Sequence, residues 1–434
     1  MEKLLALAGK AADQAEVYSL ESRSSSVDFE NAELHDIKSE LTSGTALRVL
    51  KGGKLGFACT RNLRDREELV RNALASLAGG VEAGFDLPAK APATGLKTSD
   101  PAAARTKSAD LAAECARMAG ELKSRTKGEI TAGAAAAEQT LRIANTRGLD
   151  VTVRSSECAF RAGAIFPGSA SSISRVFKAK GPASMPASAL DEIVWLFNAG
   201  LKEVAPAAGR MKVLFMPDAM LALAWRLMHG ANAKSVYEKV SPLADKSGQK
   251  AFSPELTVVD DALDDSVPGA RPVDDEGTPT GRFSVVEQGV FQGFYSDLNY
   301  AKKLGSRPTG HGYRTTMWGG DPLELKPTPW LNHFAVAPGG KSLRELVSLM
   351  DRGVILCDGL GPHSGNIPNG DYAVGVAPGL YVERGEIAGR VKDAMISGNA
   401  YETLRRVVAV GDEARPAFGG LFPPLLCDGL NVAC

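Results

Sequence analysis

The sequence predicts an α+β fold in two domains, and three observations lead to it. Helical and strand-like segments follow one another as one helix, three strands, a helix and two strands, without the regular alternation of a parallel βαβ sheet. No Gly-x-Gly-x-x-Gly segment opens a helix, which disfavours a Rossmann-type sheet. From Leu256 onward, short strand patterns are separated by turn residues, which indicates a mostly antiparallel β domain.

The Pro/Ala/Gly loop at residues 206–209 is the natural boundary between these two parts. We therefore expect an N-terminal α/β domain over residues 1–205. The C-terminal domain, over residues 210–434, is expected to be β-rich and barrel-like.

The first elements follow from local patterns. Residues 15–40 alternate as strands do, and Thr45–Thr60 predicts a hairpin whose turn is Lys51–Lys54. Asp65 is suited to cap a helix over residues 66–77, because its carboxylate accepts from the free N–H groups of the first turn.

The next segments carry the chain into the second domain. A helix is predicted over residues 108–124, and strands flank the turn Asn145–Gly148. A further helix at residues 189–204 precedes an apolar strand at 211–216 and a helix at 217–229, which Pro217 suits at its first turn.

Composition excludes several function classes. Lys plus Arg (50) nearly balance Asp plus Glu (51), so a general attraction to nucleic acid or to anionic membrane is not expected. No apolar run is long enough to span a bilayer, and the N-terminal segment lacks the apolar core of a signal peptide, so we expect a cytoplasmic protein. The six cysteines form no Cys-x-x-Cys pair, which argues against a zinc knuckle or a redox motif.

Four segments resemble the TldD/PmbA family, whose members were once described as modulators of DNA gyrase. They are the hairpin GTALRVLKGGKLGFACT, the turn NTRG, the block DDEGTPTGRFSVVEQGVFQGFYSDLNYAKKLGSRPTG and the tail GLYVERGEIAGRVKDAMISGNAYETL. The resemblance implies a peptidase subunit that pairs with a relative into a dimer enclosing a peptide channel, in which one member cuts.

In the cutting member, the resemblance implies a zinc site made by a His-Glu-x-x-x-His helix and a cysteine nearer the C-terminus. Here Ala224 and Trp225 stand five and four residues before His229, and residues 411–420 contain no cysteine. The chain therefore resembles the PmbA (TldE) side, with no catalytic residue and no cofactor of its own, and zinc is expected in a TldD-like partner. The segment 360–372 departs from the family's context while keeping its Asn-x-x-x-Gly-Asp-Tyr outline.

Peptide substrates are the ligands that this resemblance implies. An extended peptide adds itself to an exposed strand edge through main-chain hydrogen bonds. We predict that Gly310, His311, Gly312 and Arg314 line the channel, together with His363 in a Gly/Pro/Asn loop.

Two other chemistry-bearing features have simpler interpretations. His229 is expected to end its helix as a cation favoured by the helix dipole. Several carboxylates invite a calcium or acid/base interpretation, but the EF-hand loop pattern is absent, so residues 274–276 are expected to form a structural turn. These carboxylates are Asp260, Asp261, Asp264, Asp265, Asp274, Asp275 and Glu276.

Two alternatives stay open at this stage. The first is a stand-alone homodimer that binds peptides or serves as a scaffold. The second is a metallopeptidase with unfamiliar ligands drawn from His311, His333, His363, Cys357 and Cys427.

Overall fold

The computed structural model describes residues 1–433. The helices in this range are α1 Glu2–Ala11, α2 Arg66–Ala75, α3 Ser108–Arg125, α4 Ala187–Ala199, α5 Leu221–Gly230, α6 Ala233–Tyr237, α7 Leu298–Lys303, α8 Leu343–Ser348 and α9 Ala400–Arg405. Short 3-10 turns occupy Ser76–Gly79, Ala103–Arg105 and Pro217–Ala219.

The strands of the N-terminal half are β1 Gln14–Glu30, β2 Glu33–Lys51, β3 Lys54–Thr60, β4 Glu129–Asn145, β5 Asp150–Ile165 and β6 Ser172–Ala179. The remaining strands are β7 Glu203–Val204, β8 Gly209–Phe215, β9 Val258–Asp261, β10 Arg282–Glu287, β11 Val290–Phe291, β12 Gly312–Tyr313, β13 Thr328–Pro329, β14 Phe334–Val336, β15 Arg352–Leu356, β16 Gly359–Leu360, β17 Asp371–Val376, β18 Gly379–Glu383, β19 Glu386–Val391, β20 Met395–Asn399, β21 Val407–Val410, β22 Arg415–Ala417, β23 Gly420–Phe422 and β24 Leu425–Ala433.

The N-terminal half is built on one antiparallel six-stranded sheet in the order β3-β2-β1-β4-β5-β6. The predicted hairpin is confirmed: β2 and β3 pair from Thr45↔Thr60 to Lys51↔Lys54, and Gly52 and Gly53 adopt the positive φ values that a two-residue turn requires. Asp65 caps α2 as predicted, since its side chain accepts from the Glu68 N–H.

The helices around the predicted boundary differ from expectation. α4 ends at Ala199 rather than at residue 204, because Gly200 follows it and the chain then turns into β7. The segment after β8 is likewise interrupted: Pro217 starts a 3-10 turn, and α5 begins only at Leu221.

The C-terminal half contains two large sheets. One has six strands in the order β11-β10-β9-β14-β23-β22, and the other follows the path β16-β17-β20-β24-β8-β15-β18-β19-β7, with β21 paired to β24. Most pairs are antiparallel, as predicted; β8 with β15, β7 with β19 and β14 with β23 are parallel. The α+β class is confirmed.

The hydrophobic core crosses the predicted boundary. One cluster of buried side chains joins Cys115 and Leu122 of α3 and Phe197 of α4 to Leu214 of β8 and Ile355 of β15. β7, which lies before the boundary, pairs with β19 of the C-terminal half. The division into domains at residues 205 and 210 therefore stays a prediction. Within residues 1–433, no helix is long and apolar enough to cross a membrane.

Candidate functional site

Helix α5 carries a buried arginine at its centre. Arg226 is fully buried, and its guanidinium donates to the backbone carbonyls of Ala222, Pro362, Ser364 and Asp371 at 2.7–2.9 Å. Burial lowers the pKa of Arg226. The side chain ties α5 to the loop at residues 362–371, so it fixes the loop that bears His363.

A groove of about 330 Å³ runs beside α5. We call it the α5 groove; its lining residues are Trp225, Met228, His229, Asn232, Lys234, Ser235, Glu238, Tyr295, Thr315, Thr316, Met317, Leu325, Lys326, Thr328, Pro329 and Trp330. Trp225 and His229 share one face of the helix because they are four residues apart. The groove thus combines aromatic surface with scattered polar groups.

A row of aromatic rings continues from this groove onto the surface. Trp318 contacts Trp225 edge-to-face with 5.7 Å between ring centroids, and His363 contacts the other side of Trp318 at 5.7 Å. Trp318 is 68 % exposed, and His363 is exposed as well. Large apolar side chains at such exposure commonly mark interaction surfaces.

His229 is not the exposed cationic cap that its position suggested. It lies in the last turn of α5, as predicted, but burial lowers its pKa and favours the neutral ring. Both ring nitrogens lie 3.4–3.5 Å from the Ser235 hydroxyl.

The side chains of α5 do not fit a zinc ion of the His-Glu-x-x-x-His kind. Ala224 is a buried methyl group, Trp225 packs against Trp318, and His229 supplies a single imidazole, whereas catalytic zinc sites take three protein ligands. The adjacent buried Arg226 adds a positive charge that disfavours a dication nearby. Over residues 1–433, no group of three or more His, Cys, Asp or Glu side chains is placed to hold a metal ion.

The predicted channel residues Gly310, His311, Gly312 and Arg314 are all buried. Arg314 donates to the Leu325 carbonyl at 2.9 Å, lies 3.5 Å from the Glu16 carboxylate and stacks on a ring of the N-terminal sheet. These four residues lie in the interior of this chain, and their role in a peptide channel stays a prediction. His363 has the exposure that contact with a peptide requires; its binding role remains a prediction.

The Asp-Asp-Glu segment forms the predicted turn, and this turn is buried. Asp274 accepts from the backbone N–H groups of Glu276, Thr278 and Gly312 at 2.8–2.9 Å and is completely buried. Burial, and then the charge of Glu276, raise the pKa of Asp274 well above its ordinary value. The segment is an internal anchor.

Two of the alternative metal ligands meet at a buried carboxylate. The Asp260 Oδ1 atom lies 3.4 Å from His311 Nε2 and 3.7 Å from His333 Nδ1, and Oδ2 accepts the His333 backbone N–H. Burial alone would raise the pKa of Asp260, but the two nearby histidines lower it to about 2. The two imidazoles therefore stabilise the ionised form of the Asp260 carboxylate.

The other alternative ligands lie elsewhere. Cys357 and Cys427 are buried in different apolar clusters, and desolvation raises the pKa of both thiols, to about 12 for Cys357. Neither has the low pKa that a reactive or metal-binding thiolate needs.

Comparison with known proteins agrees with this architecture. A family model described as the PmbA/TldA metallopeptidase C-terminal domain matches residues 208–434, and one described as domain 1 of the same family matches residues 15–77. The first match alone spans more than half of the chain. The chain belongs to the TldD/PmbA family.

Relatives within the TldD/PmbA family match either nearly the whole chain or about half of it. A protein named metalloprotease from Methanothermobacter thermautotrophicus is 26% identical over 426 residues, covering 94% of this chain and 90% of its own length. The metalloprotease PmbA of Escherichia coli is 27% identical over 201 residues, covering 46% of this chain and 41% of its own.

Solved structures of TldD/PmbA proteins share the fold. A Thermotoga maritima protein described as a modulator of a DNA gyrase has a TM-score of 0.85 at 27% identity, covering 100% of this chain and 99% of its own. TldE of Thermococcus kodakarensis has a TM-score of 0.88 at 21% identity, and both chains are covered completely.

Within the TldD/PmbA fold, sequence reasoning missed Arg226, Trp225 and Trp318 as functional candidates. A charged residue inside the apolar run of α5 was an available signal, because an arginine on a buried face needs several acceptors. The proximity of Trp225 and Trp318 left no such signal, because 92 residues separate them in the chain.

Proposed function

We propose that this chain is a peptide-binding, non-catalytic subunit of a TldD/PmbA-type metallopeptidase and pairs with a zinc-bearing, TldD-like relative. The observation that carries the proposal is the buried Arg226 on α5, the helix where the family resemblance implies metal ligands. A guanidinium at this place organises a loop and supplies no lone pair to a metal. The chain's own contribution is then to hold substrate.

The α5 groove supports a peptide as the substrate. Trp225, Trp318 and Trp330 offer apolar and aromatic surface, which binds varied side chains without strong selection. The short strand β13 contributes Thr328 and Pro329 to the wall, which places main-chain groups beside the groove. An unfolded or modified peptide in an extended conformation matches both features.

A free strand edge supports pairing with another subunit. β3 covers residues 45–51 of β2, so residues 33–44 pair only with β1 within the described chain. Ile37 and Leu41 on this stretch are 48 % and 71 % exposed. Long exposed edges with apolar side chains favour pairing with another chain. We propose that this edge takes part in the subunit interface.

The test is capture of the tagged chain from its source cell, followed by metal analysis of the free chain and of the complex. We expect a relative with a His-Glu-x-x-x-His helix to co-purify, with zinc in the complex only. A homodimer that captures no relative would contradict the pairing and favour a stand-alone peptide-binding protein. Stoichiometric metal and chelator-sensitive proteolysis in the isolated chain would contradict the non-catalytic role.

Peptide binding is tested separately by fluorescence anisotropy with labelled, unstructured ten-residue peptides. Trp318→Ala is expected to weaken binding about tenfold or more, because it removes the exposed ring between Trp225 and His363. Leu201→Ala, at an exposed apolar residue outside the groove, is the matched control. If both variants bind the peptides with the affinity of the parent chain, the α5 groove is not the peptide-binding site.

A further inference from the structure

A second cavity, of about 470 Å³, lies between the N-terminal sheet and the edge of a C-terminal sheet. Val176 and Lys178 of β6 form one wall, and the β22–β23 hairpin with Phe418 at its tip forms the other. We call it the β6–β22 cleft. It shares no lining residue with the α5 groove.

The hairpin that closes this cleft holds an aromatic residue in an unusual conformation. Phe418 has a φ of +46°, in the left-handed region that bulky residues rarely adopt, and its side chain is 54 % exposed. Such outliers concentrate at functional sites, where the surrounding structure holds them in place. The aromatic side chain of Phe418 lines the cleft.

The floor of the cleft is fixed by a histidine. His333 Nε2 donates to the carbonyl of Gly269, while Nδ1 is buried without a hydrogen-bond partner and faces the Asp260 carboxylate. This contact links the start of β14 to the wall made by Pro268 and Gly269. The cleft is therefore preformed on that side.

The charge of the lining is negative. Two of its carboxylates are neutralised: Glu157 by Lys178 at 3.0 Å, and Asp261 by Arg282 at 2.9 Å. Asp264 accepts only from Ser266 among the described residues, so its charge is uncompensated.

Asp218 adds to this excess. Among the described residues its cationic neighbours are Arg175, at 3.8 Å, and Arg415, and both guanidinium groups already donate to Glu192. Burial raises the pKa of Asp218, which is the effect expected of a carboxylate without adequate partners. A cation entering the cleft would relieve that burial cost.

We propose that the β6–β22 cleft binds a lysine or arginine side chain of the peptide substrate. The apolar wall at Val176 and Phe418 accommodates the aliphatic stem, and the ring face of Phe418 attracts the cationic head. Asp218 and Asp264 supply the compensating charge. The inference rests on the proposed peptide binding and adds a preference for basic peptides.

The experiment compares two ten-residue peptides that differ only in a central lysine or norleucine, which has the same stem length without the charge. Anisotropy with the full-length chain is expected to give about tenfold tighter binding of the lysine peptide. Asp264→Asn, at an exposed residue, should reduce this ratio to near one, and Asp218→Asn should do the same. Asp412→Asn, an exposed carboxylate outside the cleft, should leave the ratio unchanged.

Equal affinities for the two peptides in the parent chain would overturn the cleft assignment, as would a lysine preference that survives Asp264→Asn. If the two peptides bind equally well and Trp318→Ala weakens the binding of both, the proposed peptide binding is supported and only the assignment of the cleft is contradicted. If neither peptide binds, the proposed function and this inference fall together.

Discussion

The guanidinium of Arg48 on β2 donates to the carboxylate of Glu276, 228 residues later, at 2.6 Å inside the protein. Its other terminal nitrogen donates to Glu16 on β1 at 2.9 Å, and Glu276 also accepts the backbone N–H of Leu298 at the start of α7. One cation thus joins two strands of the N-terminal sheet to the Asp-Asp-Glu turn. The two halves of the chain are connected by charge as well as by apolar packing.

Arg48→Met is therefore expected to destabilise the chain strongly. Removing one partner of a buried ion pair leaves an uncompensated charge, which costs about 3–5 kcal/mol. Urea unfolding measures the change in the free energy of unfolding. Arg142→Met provides the control, because Arg142 pairs with Asp150 at the surface, where such pairs contribute about 0–1 kcal/mol. Similar losses in the two variants would show that the buried network is not a stabilising connection.

Gly312→Ala tests whether the block around residue 310 has a packing role. A Cβ on Gly312 would lie 2.3 Å from the Glu276 carboxylate, which is fixed by Arg48 and Leu298. The added methyl group should lower the free energy of unfolding by about 1–3 kcal/mol. Gly281→Ala is the control, since a Cβ there meets nothing within 4 Å. If the Gly312→Ala variant is as stable as the parent chain but binds peptide more weakly, the result would instead support a role for Gly312 in the peptide channel.

Local elements could be predicted from the sequence because their causes are local. The β2–β3 hairpin follows from two turn glycines between alternating strands, and the start of α2 follows from Asp65. The predicted end of α4, at residue 204, lies beyond the observed end at Ala199. A helical pattern alone does not reveal that the following residues form β7 and pair with the distant strand β19. The mostly antiparallel C-terminal half was recognisable from its short strands and turns.

The candidate site was harder to predict, because it depends on contacts between distant segments. Charged residues are normally exposed, so nothing in the sequence marks Arg48 or Arg314 as buried, and only the apolar run around Arg226 indicates its burial. Their partners are backbone carbonyls or carboxylates from other parts of the chain. The block 274–314 was singled out by its resemblance to the family, but the sequence did not reveal that Gly310, His311, Gly312 and Arg314 are buried.

Thiol labelling tests the alternative in which Cys357 or Cys427 is a metal ligand. In a Cys434→Ser background, we expect an aromatic disulfide reagent to modify the half-buried Cys59 first. The buried thiols Cys115, Cys158, Cys357 and Cys427 should react only after unfolding, because desolvation raises their pKa values. Rapid labelling of Cys357 or Cys427 in the folded chain, slowed by added zinc, would support the alternative.

The stability of the chain should fall as the pH rises from about 4 to about 8, and Asp297 is one of the buried carboxyl groups that contribute to this fall. Burial, and then the charge of Glu276, raise the pKa of Asp297 to about 8, whereas the pKa of an aspartate in the unfolded chain is about 3.9. Between these values the folded chain holds one more proton than the unfolded chain. The free energy of unfolding therefore decreases with pH, by up to about 1.4 kcal/mol per unit for one group.

Asp297→Asn should flatten this dependence, because the amide imitates the protonated carboxyl and still accepts from the Tyr300 N–H at the start of α7. Asp358, whose pKa burial raises to about 6, and Asp274, whose pKa burial raises well above its ordinary value, act in the same direction and remain in the variant, so part of the slope persists. Urea unfolding at half-unit steps of pH measures the slope. Asp412→Asn should keep the slope of the parent chain; if Asp297→Asn keeps it too, the buried carboxyl is not the group that titrates.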